Sequence, residues 1–506
     1  MSPINALFAK LAAVDIRLFL DGERLRFDAP QGALTDALRS ELQTHKADII
    51  AHLQAHQAST QNEPRHYPFS FAQQHFWSLQ QLNPTDCFYT VPFAFRLTGE
   101  LNIDVLRQSF NAIVSRHEIL RTTLQHLEGK HLQIVAPTAD ADLVIVKNVL
   151  EAQLSQLISD ELHIPFDLTT ASCLRARLFS LPDNQAVLLL CLHILIYDQR
   201  SLNALLYEIS AHYDALIAGK SANLPPLALQ YGDYAKDQQD LLATPMQHRI
   251  DYWQTWFAQG EPQQWTWQTQ QDSRAPAFEA DILWQHFDSH LMQQLKLLAQ
   301  SCGVTLYMTL MAAYSVLLYR YTDCPDVVIG TTFANRGRWQ FDNMIGSSLS
   351  VLSLRIHLEH NPDWQTLLNQ IRENVAQAMA HQDIPFRVIM PIVQPERTQF
   401  TPLFHAILSF LAETAHNELN LTGVKVEFME HVANPSSRPD LYLTVWEKSG
   451  DNGEGLSGYW LPQKNLFSDA ESALLLQHYQ QLLQIMVQAP NHTIKHAMAE
   501  LDCVAQ

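Results

Sequence analysis

The sequence has no run of basic residues, no glycine-rich phosphate loop and no cluster of residues at zinc-ligand spacing. Its 33 lysines and arginines are outnumbered by 52 aspartates and glutamates, which gives a formal net charge of −19. Because binding to a phosphate backbone needs a basic surface, this balance disfavours nucleic acid as a partner. The sequence also predicts no metal site, since most of its 23 histidines occur singly on polar helix faces.

Cysteine is scarce, and no apolar run is long enough to cross a bilayer. The six cysteines are scattered without CxxC spacing, which favours a reduced, cytoplasmic chain. No signal peptide is recognised at the start, so we expect no membrane partner. A chain of 506 residues, 47% of them hydrophobic, predicts two to four globular domains.

The most informative stretch is AVLLLCLHILIYDQRSLNALL, residues 186–206. Its apolar beginning is typical of a strand buried on both faces. Polar residues then interrupt the run, and leucines at helical spacing follow, so a helix is predicted to begin near Ser201 as its N-cap. His193 and Asp198 either present side chains to a cleft or only close off the strand and hydrogen-bond the turn.

The first sixty residues predict a small α-β-β-α unit. A short amphipathic helix over residues 4–13 precedes two alternating segments joined at Asp21-Gly22, a strong hairpin signal. Thr35 then caps a second helix. So thin a core favours a binding role over chemistry, and an extension packed on the main domain is the alternative. Residues 55–68, rich in Gln, Asn, Ser and Pro, are predicted to be a linker.

The rest of the chain alternates strands with amphipathic helices in two halves, as α/β folds do. An amphipathic helix is predicted over 104–117, a buried helix over 305–321 and a strand over 326–332. The Gln-, Trp- and Pro-containing segment 262–276 separates the halves.

HILIYDQ, residues 193–199, resembles the HHxxxDG motif of the condensation domains of nonribosomal peptide synthetases. In that alignment His193 matches the first His, Asp198 the Asp and Gln199 the Gly. The second His, which is catalytic in the family, is replaced by Ile194. Isoleucine can neither accept nor donate a proton, so this departure puts catalysis in question.

Further stretches resemble the family's motifs in the same order, including YPFSFAQQHFW, RHEILRT, YGDYA and HQDIPF. Arg116 or Arg121 of RHEILRT is a candidate partner for Asp198, because an interior aspartate needs a cationic or donor partner. The resemblance also places Arg336, of FANRGR, and Gln382, of HQDIPF, near the tunnel.

The family's IGxFVNT motif is IGSSLSV in this chain, residues 345–351. Ser348 and Ser350 replace a Phe and an Asn that line the tunnel in the family. The change implies either a larger or more polar substrate pocket, or drift in a site that no longer works.

The fold implied is α/β and two-lobed, each lobe being similar to chloramphenicol acetyltransferase, with a V shape and a central tunnel. The predicted divisions are a docking domain at 1–54, a linker at 55–68, a first lobe at 69–260, a connection at 261–280 and a second lobe at 281–506.

The first segment resembles the β-hairpin docking domains of the type first recognised in a tubulysin synthetase. Such domains use β-augmentation to capture a short linear motif at the C-terminus of the synthetase protein upstream. We expect Arg17, Arg24 and Arg26 to meet an acidic tail, and surface charge unrelated to binding is the alternative.

The resemblance implies a condensation-type acyltransferase that moves a carrier-bound acyl or peptidyl thioester to an amine or alcohol. His193, Asp198 and Tyr197 are the catalytic candidates, with Ile194, Gln199 and Ser201 beside them in the motif. The alternative is an inactive module that binds a carrier protein or recruits a tailoring enzyme, and heterocyclisation ranks third.

The expected partners are an upstream carrier protein and either a small-molecule acceptor or a second carrier. No cofactor is expected to bind directly, because the substrate travels on the carrier's phosphopantetheine. The chain is expected to be free-standing.

Overall fold

The structure is a computed structural model of the chain. It describes residues 11, 17–21, 24–28, 35–46, 48–50, 64–82, 87–170, 172–227, 229–242, 247–260, 265–269, 278–336, 341–382, 404–411, 418–448 and 455–504. The chain divides into two compact units, one of residues 1–66 with 134–138 and the other of residues 67–133 with 139–506.

The strands are β1 Arg17–Asp21, β2 Arg24–Asp28, β3 Arg65–Pro68, β4 Thr90–Gly99, β5 Thr122–Leu127, β6 Lys130–Val135, β7 Leu143–Val146, β8 Leu174–Leu181, β9 Gln185–His193, β10 Leu283–Asp288, β11 Asp326–Ala334, β12 Leu349–His357, β13 Ala406–Leu411, β14 Val424–Phe428, β15 Leu441–Lys448 and β16 Gly455–Pro462. The helices are α1 Asp36–Thr44, α2 Phe71–Leu82, α3 Ile103–Arg116, α4 Glu151–Leu162, α5 Gln199–Ile217, α6 Tyr231–Leu242, α7 Gln247–Ala258, α8 Ser289–Cys302, α9 Leu306–Thr322, α10 Trp364–Ala380, α11 Asp469–Gln488 and α12 Ile494–Val504.

The smaller unit contains the predicted hairpin and its following helix. β1 and β2 pair antiparallel, and Thr35 caps α1 by accepting a hydrogen bond from the Leu38 N–H at 3.3 Å. Of the helix predicted over 4–13, only the helical Leu11 lies within the described residues. The predicted linker is described only from residue 64, and there the structure has β3 instead of irregular chain.

The larger unit contains two large sheets. One has five strands in the order β14-β4-β9-β8-β7, and the other has six in the order β10-β16-β15-β13-β11-β12. We call the first sheet and the helices packed on it the first lobe, and the second sheet with its helices the second lobe. The predicted α/β, two-lobed class is thereby confirmed.

Each lobe has its own hydrophobic core. In the first lobe the core strand is β9, whose residues from Ala186 to His193 are all buried. In the second lobe the central element of the core is the helix α9, which is buried nearly all round, as its apolar composition predicts. Trp267, from the predicted connection between the halves, packs against this second core; residues 261–264 and 270–277 of that connection lie outside the described part.

Two segments that come after β11 in the sequence, β14 and residues 341–345, pack with the first lobe and not with the second. β14 pairs antiparallel with β4 and forms the edge of the five-stranded sheet. Phe341, Met344 and Ile345, between β11 and β12, are buried in the first lobe's core. The lobes are therefore not separable at a single point in the sequence.

Within the described residues, no helix is by itself long and apolar enough to cross a membrane. The pair α8 and α9, bent by 100° at the break between them, satisfies the length and composition criteria only when taken together.

Candidate functional site

The motif identified in the sequence lies where β9 ends and α5 begins. β9 stops at His193, Ile194–Ile196 form a 3₁₀ turn, and Asp198 is the N-cap of α5. The Asp198 carboxylate accepts a hydrogen bond from the Ser201 N–H at 2.7 Å, which satisfies one of the N–H groups that the first helical turn leaves free. The prediction that Ser201 is the N-cap is therefore wrong, because the residue that caps the helix is Asp198, three residues earlier.

Asp198 is bonded through both of its oxygens. Oδ1 accepts from Arg336 Nη2 at 2.5 Å, and Oδ2 accepts from the Ser348 hydroxyl at 2.6 Å and the Ser348 N–H at 3.1 Å. Ser201 Oγ lies 2.8 Å from Oδ1 and also accepts from Arg336 Nη2 at 2.8 Å. We call these four residues the Asp198 network.

The network leaves Asp198 no free acceptor with which to act as a base. Its side chain is fully buried and that of Arg336 is 5% exposed. Burial by itself would raise the pKa of Asp198, but the Arg336 guanidinium and the bonds from Ser348 and Ser201 hold that pKa below its usual value. The carboxylate is thus a buried, charged structural group.

The expected partners of Asp198, Arg116 and Arg121, are elsewhere, so that prediction is wrong. Arg116 Nε donates to Glu208 at 3.0 Å. Arg121 donates to the carbonyls of Val114 and Ser115 at 2.9 and 2.7 Å. Arg116 thus neutralises Glu208, which is itself buried, and Arg121 satisfies carbonyls left free at the end of α3.

Arg336 and Ser348 bring the second lobe to this site. We call residues 341–348 the seam loop; Arg336 precedes this loop, and Ser348 is its last residue. Arg336 Nη1 donates to the carbonyls of Asp342 at 3.2 Å and Met344 at 2.7 Å, and so holds the loop closed. The Ser347 N–H donates to the Leu195 carbonyl at 3.1 Å, which fastens the loop to the turn after β9.

Gly346 allows the seam loop to pass close to Tyr231. Its φ is +147°, and a Cβ at this position would lie 2.0 Å from the Tyr231 ring. The Tyr231 hydroxyl donates to the Ser347 carbonyl at 2.7 Å and lies 2.8 Å from Ser70 Oγ. A side chain at position 346 would therefore push the loop off the first lobe.

The remaining motif residues are dispersed. Ser348 is 2% exposed and bonded to Asp198, so the expectation that it lines a tunnel is wrong. Ser350 is half-buried on β12, opposite Phe333. Gln199 bonds Asn203 on α5 at 3.0 Å.

Gln382, the last described residue of HQDIPF, contacts the strand end that precedes Arg336. Its carbonyl accepts from Asn335 Nδ2 at 3.2 Å. Residues 383–386 of that motif lie outside the described part of the chain.

His193 is a buried, neutral imidazole. It is 2% exposed, and its Nδ1 accepts from the Leu195 N–H at 3.2 Å. Burial, with a smaller contribution from the positive charge of Arg175, lowers the pKa of His193 to about 3. Nε2 therefore carries the proton, and it has no hydrogen-bond partner among the described residues. This environment favours a structural role over proton transfer.

Ile194 and Tyr197, by contrast, are only partly buried. The Tyr197 ring lies 5.6 Å from that of Phe93. Burial raises the pKa of Tyr197, and the neighbouring Tyr459 and Tyr442 of the second lobe raise it further. Tyr197 is therefore close enough to the second lobe's sheet for the tyrosines there to disfavour its ionised form.

A row of hydroxyl groups that was not predicted from the sequence crosses that sheet. The Thr332 and Ser409 hydroxyls lie 2.7 Å apart, and Ser409 Oγ lies 2.8 Å from the Tyr442 hydroxyl. Thr444 lies two residues after Tyr442 on β15 and opposite Tyr459 on β16, and its side chain lowers the pKa of both phenols. We call these five residues the hydroxyl row. Its sequence signal was a polar residue within each otherwise apolar strand, as in AILSFL.

The hydroxyl row can donate hydrogen bonds but supplies no base. Burial raises the pKa of Tyr442 to about 12, and burial also raises that of Tyr459. Both phenols are therefore protonated at neutral pH, as is Tyr197. Such groups can hold a carbonyl or alcohol oxygen, but they do not remove a proton from a nucleophile.

Two cavities formed by described residues lie away from this site. One of about 520 Å³ lies beside α4 and includes Lys147 and Gln153, and one of about 140 Å³ includes Tyr252 and Ser353. Neither contains a residue of the Asp198 network or of the hydroxyl row.

Asp198→Asn is expected to lower the free energy of unfolding by about 3 kcal/mol, because it leaves the Arg336 charge buried without its partner. Urea denaturation measures the loss. Asp342→Asn is the control: its carboxylate pairs with Arg200 on the surface, where an ion pair contributes less than about 1 kcal/mol. Equal losses in the two variants would contradict the role given to the Asp198 network.

His193→Asn is expected to flatten the pH dependence of stability. The folded-state pKa of His193 lies below its unfolded value, so the unfolded chain takes up a proton that the folded chain excludes. Wild-type stability should therefore fall by about 1.4 kcal/mol per pH unit below about pH 6.5, relative to the variant. Asn retains an acceptor for the Leu195 N–H. Parallel stability curves between pH 7 and pH 5 would contradict a buried neutral imidazole.

Comparison with known proteins assigns the two units to families. The Condensation domain model matches residues 63–500, and the TubC N-terminal docking domain model matches residues 4–55.

Curated relatives are much longer than this chain. A linear gramicidin synthase of Brevibacillus parabrevis is 32% identical over 443 residues, which cover 85% of this chain and 8% of the relative. Malpinin synthetase of Mortierella alpina is 34% identical over 401 residues, which cover 77% of this chain and 5% of the relative.

Solved structures share the fold. The X-domain from teicoplanin biosynthesis has a TM-score of 0.76 at 24% identity, covering 86% of this chain and 97% of that one. The first condensation domain of the CDA synthetase has a TM-score of 0.68 at 15% identity, covering 85% of this chain and 98% of that one. The chain belongs to the condensation-domain family of nonribosomal peptide synthetases and carries a TubC-type N-terminal docking domain.

Proposed function

We propose that this chain is a condensation-family module that binds partners of a nonribosomal peptide assembly line without supplying a general base. The observation that carries the proposal is the chemistry of the motif. Ile194 cannot transfer a proton, His193 is neutral and buried, and Asp198 has both oxygens engaged. His193 and Asp198 instead form hydrogen bonds that hold the turn and the two lobes together.

The partner expected at this module is an acyl or peptidyl carrier protein, whose phosphopantetheine presents the thioester. A second occupant would be a tailoring enzyme. The X-domain from teicoplanin biosynthesis, which has the same fold, has been solved in complex with OxyB. For this chain, recruitment of such an enzyme is a proposal that rests on the absence of a base at position 194.

The second candidate is slow acyl transfer by positioning alone, and the hydroxyl row favours it. A thioester is already activated, and holding two reactants together can replace much of the work of a catalyst. Tyr442 and Ser409 could donate to the thioester carbonyl from the second lobe, with Tyr197 close to Tyr442. The loss of a general base would still lower the rate by about 10²–10⁴.

Ile194→His distinguishes the two candidates. With an acyl-loaded cognate carrier and a panel of amines and alcohols, the wild-type chain is expected to form product at the uncatalysed rate. The variant is expected to raise product formation by about 10²-fold, because it places an imidazole at a partly exposed position of the turn after β9. Mass spectrometry of the product measures both, and Ile194→Val controls for the change in packing.

Wild-type product above background would overturn the binding-module proposal. Ser409→Ala should then reduce that activity, because it breaks the hydroxyl row between Thr332 and Tyr442.

For the docking domain, the hairpin register separates the three candidate arginines. Arg17 lies opposite Asp28 and Arg24 opposite Asp21, whereas Arg26 lies opposite Phe19. Residues of opposite charge at paired positions stabilise a hairpin. Arg17 and Arg24 therefore have a reason to be basic that does not involve a partner. We infer that Arg26 is the residue best placed to meet an acidic tail of an upstream synthetase protein.

Arg26→Glu is expected to weaken binding of a peptide carrying that acidic tail by about 10-fold, and more at low salt, because it replaces an attraction with a repulsion. Isothermal titration calorimetry measures the affinity. Lys425→Glu, at an exposed position on β14, is the charge-matched control. Unchanged affinity in the Arg26 variant would reject this assignment, without bearing on the condensation fold.

A further inference from the structure

Three side chains with metal-ligating atoms meet at the start of the C-terminal helix. His492 precedes α12, and His496 and Glu500 follow at intervals of four residues, which places them on one face. Glu500 Oε1 lies 3.1 Å from His492 Nδ1 and 3.1 Å from His496 Nε2. The ligating atoms all lie within 4.8 Å of one another.

These separations fit a tetrahedral ion. Zinc binds imidazole nitrogens and carboxylate oxygens at about 2.0–2.2 Å, so two ligands on one ion lie about 3.3–3.5 Å apart. The observed carboxylate-to-imidazole distances are within a few tenths of an ångström of that value. Small side-chain rotations would therefore admit an ion at the centre.

The backbone that carries the three side chains is fixed. Ile494, Ala497 and Leu501 of α12 are buried in the second lobe's core. The Ile494 N–H donates to the Pro362 carbonyl at 2.9 Å, close to the turn that carries His492. Binding would therefore order only side chains, which keeps its entropic cost small.

A second group of residues has the same kinds of ligand atom, but its carboxylate is already paired with an arginine. Asp326, His357 and Glu359 also lie within 4.8 Å of one another. Both oxygens of Asp326, however, accept from Arg355, at 2.8 and 2.7 Å. A guanidinium already neutralises that carboxylate, and its charge opposes a cation there.

We propose that His492, His496 and Glu500 bind one divalent transition-metal ion of the zinc class. The ion joins the turn before α12 to the helix and leaves a fourth position open to water or to a ligand from a partner. The imidazoles are 43% and 59% exposed, so the ion can enter from solvent. Binding requires neutral imidazoles, because a protonated ring has no free nitrogen lone pair to offer the metal.

The test is a titration of the full-length chain, purified without a histidine tag, with Zn²⁺ alone and with Co²⁺ alone. Calorimetry should show one equivalent of Zn²⁺ that His496→Gln and Glu500→Gln each remove or weaken by at least about 10-fold. Co²⁺ should give a visible absorption spectrum that the same variants lose. Mg²⁺ should not compete, because it prefers an all-oxygen site.

His357→Gln is the matched control, and it should leave the strongest equivalent unchanged. Because all three ligands are at least partly exposed side chains, the variants are expected to keep the wild-type far-UV circular dichroism. Zinc binding of equal stoichiometry and affinity in wild type and His496→Gln would overturn the proposal. So would loss of the strongest equivalent in His357→Gln.

Discussion

The bond between Asp198 and Arg336 is the interaction on which the larger unit depends. Asp198 begins a helix of the first lobe, and Arg336 follows a strand of the second. Their ion pair is buried, and Ser201 and Ser348 complete it from the two sides. A buried pair of this kind adds little over a well-packed apolar contact, but the loss of either partner strands a charge inside the protein. The pair therefore fixes how the two lobes meet.

This role explains how the motif can persist in part while its chemistry changes. Asp198 is needed wherever the seam loop crosses to the first lobe, whether or not a thioester is ever attacked nearby. His193 also has a structural role, because its Nδ1 accepts a hydrogen bond from the Leu195 N–H in the turn after β9. Ile194 lies between them on the partly exposed side of the turn, and neither of these structural bonds requires its side chain. The residues that hold the turn together are thus distinct from the residue at position 194.

Much of the fold could be predicted from local pattern. The apolar run before His193, the cap at Thr35 and the buried helix α9 each follow from residue spacing alone. The partner of Asp198 could not be found that way. RHEILRT offered two arginines, and only the crossing of the seam loop brings Arg336 there instead. Interactions 138 residues apart along the chain depend on tertiary packing, which periodicity does not report.

The same limit applies to the hydroxyl row and to the histidines of α12. A lone serine or threonine in an apolar strand has no meaning until the neighbouring strands are aligned, as Ser409, Thr444 and Tyr459 are. The spacing of His492, His496 and Glu500 was visible in the sequence, but the helix that puts them on one face was not predicted.

The exchange of β14 between the lobes has a consequence for anyone who wishes to recombine such modules. A cut placed between the two halves of the chain would remove β14 from one side of β4 and leave an unpaired strand edge, the kind of surface on which proteins aggregate. A hybrid built from two relatives should instead carry residues 418–432 from whichever parent supplies the first lobe. The residues to be taken from one parent are therefore those that share a sheet, even where they are not contiguous in the sequence.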